Sequence, residues 1–319
     1  KTGAAQKIAE TIVDTIGEKR AIAALAVATM IICAVGVFID IAVITVAPIA
    51  LAIGERAGLS KSGILLAMIG GGKAGNIVSP NPNTIAVTEA FQLDLTAVML
   101  KNLIPAICAL IATIVLASLL AKKAGDGISQ NDLEAAPAEK LPNALQAFAG
   151  PLTVIVLLAL RPLAKISVDP LIALPLGGLV CILVTGNIRN LIPYTDFGLS
   201  KVIGVAILLI GTGTIAGIIK ASALQKDMTT LLSAMNMPAF ILAPLSGILM
   251  AAATASTTAG STVASQTFSG TLLAAGVPAL SAAAMIHAGA TVLDSLPHGS
   301  FFHATGGSVY MDIKNRMKL

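Results

Sequence analysis

Over residues 21–53 the chain carries one charged side chain, Asp40, and similar scarcity recurs along most of its 319 residues. A bilayer core takes about 20 apolar residues per helix and leaves no backbone polar group unpaired. The pattern therefore predicts an all-α, polytopic transmembrane protein. Composition agrees: 11% of residues are charged and 56% apolar, with mean hydropathy +0.90, whereas soluble domains carry about 25% charged residues. The net charge of +4 does not point to nucleic acid, because Lys and Arg sit mostly in short connections, where orientation signals belong. Cys33, Cys108 and Cys181 lie scattered in apolar runs, which fits neither a disulfide framework nor a metal site. No cofactor or metal is expected.

The apolar runs are interrupted in an unusual way. Gly36 and Asp40 divide residues 21–53; the cluster Gly70, Gly71, Gly72 and Gly75 leads into SPNPNT at 79–84; TASTTAGSTVASQT fills 254–267; and DSLPHG stands at 294–299. Such backbone at membrane depth needs protein or a water-filled cavity to satisfy its polar groups. Helix breaks are expected near 36–41, 76–83, 254–261 and 294–299. Ordinary spans are expected over 98–120, 151–163, 171–184 and 202–219, a polar connection over 187–200, and a solvent loop over 124–147 holding Asp126, Asp132, Glu134, Pro137, Glu139 and Pro142. Shifting the chain by 218 residues lays Gly71 on Gly289 and Asn76 on Asp294, a sign of internal duplication, and paired interrupted segments point to a transporter site. The expected regions are a first transmembrane repeat over 1–121, a polar loop over 122–148, connecting spans over 149–200 and a second repeat over 201–319.

Several residues are candidates for chemistry. Asp40 and Lys73 are ionisable groups inside apolar runs, where an unpaired charge costs about 3 kcal/mol on insertion scales; they serve either as proton and anion groups or as a buried ion pair. Two prolines break the chain before Thr84, and a helix restarting there would aim its N-terminal dipole at a carboxylate. Asn76, Ser79, Asn81, Asn83 and Thr84 are the candidate ligands, a surface turn being the alternative. The hydroxyls of Ser256, Thr257, Thr258 and Ser261 serve either substrate or helix packing. Asp294 and His298 place a carboxylate and an imidazole four residues apart, for proton exchange or as an exposed turn. His287 and His303 stand alone and read as structural.

GNIVSPNPNTIA at 75–86, GTGTIAGIIKAS at 211–222, GSTVAS at 260–265, DSLPHG at 294–299 and the lead-in IAETIVDTIGEKRA at 8–21 together resemble the gluconate permease family of the ion transporter superfamily. Family members extend further at both ends, so the chain, which opens on Lys1 rather than Met, reads as a fragment lacking both terminal regions. The resemblance implies proton-coupled symport of gluconate or a related hydroxycarboxylate, with broken helices meeting at a substrate site. Relatives carrying D-serine or short hydroxy acids such as hydroxybutyrate keep the substrate open, as do FID at 38–40 and PHG at 297–299, which differ from gluconate-type members. The expected setting is a bacterial inner membrane, the expected partners a small organic anion, protons or another cation, and the lipid bilayer, with a homo-oligomer left open. An intramembrane enzyme or a channel is the competing reading, but the chain has no HExxH, GxSxG or GxxxxGK[ST] motif, and no catalytic residue is expected.

Overall fold

A computed structural model describes residues 2–123, 125–133, 141–166, 168–223, 226, 227, 230, 234 and 238–319. The described residues form helices and no strand, with one isolated bridge between Ser60 and Gly127. In order the helices are α1 (Ala4–Ile16), α2 (Ala21–Ala34), α3 (Ile39–Arg56), α4 (Lys61–Asn76), α5 (Pro82–Phe91), α6 (Leu95–Lys101), α7 (Leu103–Lys123), α8 (Ala144–Ala164), α9 (Pro170–Val184), α10 (Leu191–Ala221), α11 (Leu242–Thr254), α12 (Thr257–Ala274), α13 (Ala279–Ala290), α14 (Ser300–Gly307) and α15 (Ile313–Arg316).

All four expected breaks separate helices: α2 from α3, α4 from α5, α11 from α12 and α13 from α14. Two other expectations need correction. Residues 98–120 are not one span: Asp94 caps α6 by accepting from Ala97 N–H, and α7 restarts after Asn102, with Pro105 in its first turn, where a missing N–H costs nothing. Residues 187–200 are largely helical because Pro193 falls in the first turn of α10, and Thr195, Asp196 and Ser200 ride exposed on the helix. Among the described residues one helix, over Leu103–Lys122, is long and apolar enough to cross a bilayer alone; Ala144–Leu160, Pro170–Val184, Ala239–Thr254 and Ala279–Ala290 are shorter apolar segments.

The chain divides into two compact units. The first comprises Lys1–Ser79, Pro105–Tyr194 and His303–Leu319, the second Pro80–Ile104 and Thr195–Phe302. In the first, α2 packs on α3 and α4, α1 on α2, α3 and α8, and α8 on α9. The glycine cluster lies inside continuous helix: Cβ atoms on Gly71 and Gly75 would strike the carbonyls of Ala26 and Met30 on α2, so the pair lets two backbones touch. The described part of the polar loop clasps the start of α4. Lys61 Nζ pairs with Asp132 at 2.7 Å, and Ser62 donates to Asp126 Oδ2 from both N–H and hydroxyl at 2.9 and 2.6 Å. Burial disfavours the Asp132 carboxylate, but hydrogen bonds from Lys61 and Ser129 and the Lys61 charge outweigh it and hold the group below its ordinary range. Glu134, Pro137 and Glu139 lie outside the described residues.

In the second unit α11, α12 and α13 pack on one another, α5 packs on α12 and α13, and α6 on α5 and α13. Val87, Phe91, Val98, Leu242, Phe268, Leu272 and Ile286 form the core. A repeat ties the two sets of helices. The starts of α3, α4, α5 and α6, at Ile39, Lys61, Pro82 and Leu95, recur 218 residues on at Thr257, Ala279, Ser300 and Ile313, the starts of α12 to α15. Positive φ recurs at Gly58 and Gly276 and at Gln92 and Tyr310, and Asp94 and Asp312 are both N-caps. Even the close contact recurs: Gly71 meets Ala26, and Gly289 meets Pro244.

Candidate functional site

The second unit gathers most of the polar interruptions. α11 ends at Thr254 with Ala255, a non-glycine residue at φ +46°, as its C-cap, and Ser256 caps α12 by accepting from Ala259 N–H at 3.2 Å. Thr257 then donates its hydroxyl to Asp294 Oδ2, while Ser295 donates to Oδ1 at 2.9 Å. Asp294 is 3% exposed. A carboxylate is thus buried where two helix breaks meet, each oxygen receiving a hydroxyl hydrogen, which is the condition for keeping such a group inside. Gly299 holds the same junction tight, since a Cβ there would come within 2.6 Å of Ala255 Cβ. His298 is exposed and forms no hydrogen bond or ion pair among the described residues, so its proximity in sequence to Asp294 does not become a contact.

Around SPNPNT the chain is buried rather than a surface turn: Ser79, Asn81, Asn83 and Thr84 are each at most 3% exposed. The helix restarts at Pro82, two residues before the expected Thr84. Asn81 Oδ1 accepts from the N–H groups of Asn83 and Thr84 at 3.0 and 3.1 Å, Ile85 N–H bonds to the Asn81 carbonyl at 3.0 Å, and Pro82 has no N–H. The orphan donors of the first turn are therefore consumed within the chain, and side chains rather than free N–H groups are what α5 offers a ligand. α5 packs against α12, which carries Thr258 and Ser261. Ser261 and Thr262 donate back to the Thr258 carbonyl at 3.2 and 2.7 Å, leaving their oxygens as acceptors.

The first unit holds Asp40, Lys73, Asn76 and Ser79. Asp40 is the second residue of α3 and half-buried; its Oδ1 accepts from Ile41 N–H at 2.9 Å and it joins no ion pair among the described residues. The buried Asp40–Lys73 pair is thus not formed. Lys73 is half-buried in α4 and Asn76, 3% exposed, is the last residue of that helix. A cavity of about 560 Å³ in this unit is lined by Glu10, Asp14, Glu18, Arg56 and Asp132; its carboxylates suit a cation, not an organic anion.

Two further residues stand out in the structure, one of them read from the sequence as structural. His287 on α13 and Asn102 after α6 are 0% exposed, and no ring nitrogen of the one and no amide atom of the other has a hydrogen-bond partner among the described residues. The signal for His287 was its isolation in an Ala-rich helix; Asn102 was hidden inside an apparently ordinary span.

Apolar helices broken in pairs, with hydroxyls, amides and a carboxylate buried at the breaks, define a membrane transport protein of the broken-helix class. The chain belongs to the GntP family of permeases, whose family model matches residues 1–306. It is 58% identical over 319 residues, all of this chain and 76% of the relative's length, to a protein of Haemophilus influenzae named as an uncharacterized transporter. No solved structure matches. The chain is accordingly an integral membrane transporter.

Proposed function

We propose that this permease carries gluconate or a related small hydroxycarboxylate in symport with a proton across the bacterial inner membrane. The observation that carries the reading is Asp294, buried and held by Thr257 and Ser295 at the junction of two breaks. Two like charges brought together in one buried site repel. Protonation of Asp294 therefore admits the substrate anion, and departure of the anion lets the proton leave, which is symport. Within the second unit Asn81, Asn83, Thr84, Ser256, Thr257, Thr258 and Ser261 offer the amides and hydroxyls that match a polyhydroxylated acid, and the exposed His298 is a proton entry group. In the first unit Asp40 and Lys73 handle charge, with Asn76 and Ser79 as polar ligands.

The test uses the full-length protein in proteoliposomes with a pH gradient, acid outside. Gluconate is expected to accumulate, and a protonophore to abolish the gradient. Accumulation of D-serine or hydroxybutyrate instead would move the substrate, while equal uptake with and without the gradient would end proton coupling. Asp40→Asn separates the two units' contributions: if Asp40 carries the proton, the variant keeps counterflow exchange and loses accumulation.

A further inference from the structure

We propose that His287 is a second proton-binding group of the transport cycle, acting with Asp294 in the second unit. The inference rests on the proton-symport reading above and adds a residue to it.

His287 stands in the last turn of α13, wholly buried, with neither Nδ1 nor Nε2 bonded among the described residues. As a neutral ring it leaves a buried donor and a buried acceptor unsatisfied, both destabilising; as a cation it would be a buried charge with no partner. The helices packed on α13 supply no compensation. α11 and α12 contain no ionisable residue, and α5 and α6 contain Glu89 and Lys101, both exposed. Asp94 caps α6 and is half-buried, and past the end of α13 come buried Asp294 and exposed His298. Among the described residues His287 and Asp294 are the titratable side chains buried in this unit.

The repeat shows that the scaffold does not need an imidazole here. The position 218 residues earlier is Ile69 on α4, 5% exposed, on a helix that packs on α2 as α13 packs on α11. An isoleucine fills the equivalent place with apolar contacts and no unsatisfied atom. A side chain that destabilises this packing in either protonation state has its partner in another state of the cycle, when water or substrate enters the interior. Asn102 falls in with this: it lies one turn beyond Val98 on α6, its N–H bonded to the Val98 carbonyl at 3.1 Å, and Val98 shares the core with Ile286, the neighbour of His287. In the step itself a proton moves from hydronium on one side to the free ring nitrogen and later returns to water on the other; no other bond changes.

The experiment compares wild type, His287→Ile and His287→Gln in full-length protein. A one-unit gradient supports about a tenfold accumulation for one proton per anion. Wild type is expected to reach that order; both variants are expected to fold, and His287→Gln to keep counterflow within about twofold while its accumulation falls to about unity. A folded variant that accumulates substrate with the wild-type pH profile overturns the proposal and leaves symport standing. Failure of both variants to fold makes the imidazole structural and overturns it. Loss of counterflow together with accumulation in folded His287→Gln assigns His287 to substrate contact and also overturns it. A wild type indifferent to the gradient refutes symport itself, and the proposal falls with it.

Discussion

Replacing Gly71 by alanine tests whether the two repeats are built on the same close helix contact. The new Cβ would overlap the Ala26 carbonyl oxygen and lie 2.6 Å from Thr29 Oγ1 and 2.7 Å from the Ala26 carbonyl carbon. Backbone cannot rotate away, so α2 and α4 must part by at least about 1 Å, a gap that forfeits about half of each contact's dispersion well. Overpacking of this kind costs about 1–3 kcal/mol, and alanine's better helix propensity returns up to about 1. The net expected loss is about 1–2 kcal/mol, on the order of 2–4 °C in Tm for a chain of this size. Gly289→Ala, which meets the Pro244 carbonyl at the equivalent place, should lose a similar amount. Gly178→Ala on α9 is the control: its Cβ meets nothing within 4 Å, and the change should stabilise by about 0.5–1 kcal/mol. Thermal unfolding of the detergent-solubilised proteins, followed by loss of the monodisperse chromatographic peak, reads all three. Gly71→Ala and Gly289→Ala as stable as wild type, or no better separated from it than Gly178→Ala, would refute the close-contact argument.

Three further outcomes follow from the same structure. Ala255 holds φ +46°, so Ala255→Gly should raise stability by up to about 1 kcal/mol, whereas Gly299→Ala, which drives a Cβ into Ala255, should lower the Tm; reversal of either sign in the same melting assay would contradict the junction described. Thr257→Val removes a hydroxyl from buried Asp294 and should cost about 1.5–3 kcal/mol, while Asp294→Asn should fold, keep counterflow and lose proton-driven accumulation; normal accumulation by that variant would take Asp294 out of the mechanism. Because Asp132 is held below its ordinary range, its contribution is present above the unfolded-state value and is lost as pH falls through the folded one. Amide exchange across residues 125–133 should therefore accelerate only on the acid side of the ordinary carboxylate range, and Asp132→Asn should remove that step; an unchanged step would assign it to another group.

The sequence by itself determined the class of this protein. Scarce charge over long apolar runs allows only helices in a membrane, Gly36, the prolines around Asn81 and Pro297 interrupt helix through local backbone chemistry, and the fourth break falls where the hydroxyl run begins, the rest of that run being helical as α12, so all four breaks were legible. The 218-residue offset was also present, though carried by few identities. What each break does is a tertiary matter. Asn81 spends its oxygen on capping α5 rather than awaiting a ligand, and Asp294 finds Thr257, 37 residues away, rather than His298 four away. Periodicity reports which residues share a helix face, but not which faces meet. Residues 80–104 leave the first repeat for the second unit, and 303–319 belong to the first unit, an exchange with no local signature because it depends on which buried surface each helix can cover. For the same reason only the packed structure distinguishes His287 from Ile69: both sit in apolar sequence, and the difference between a core residue and an unsatisfied polar one is set by the neighbours that three dimensions supply.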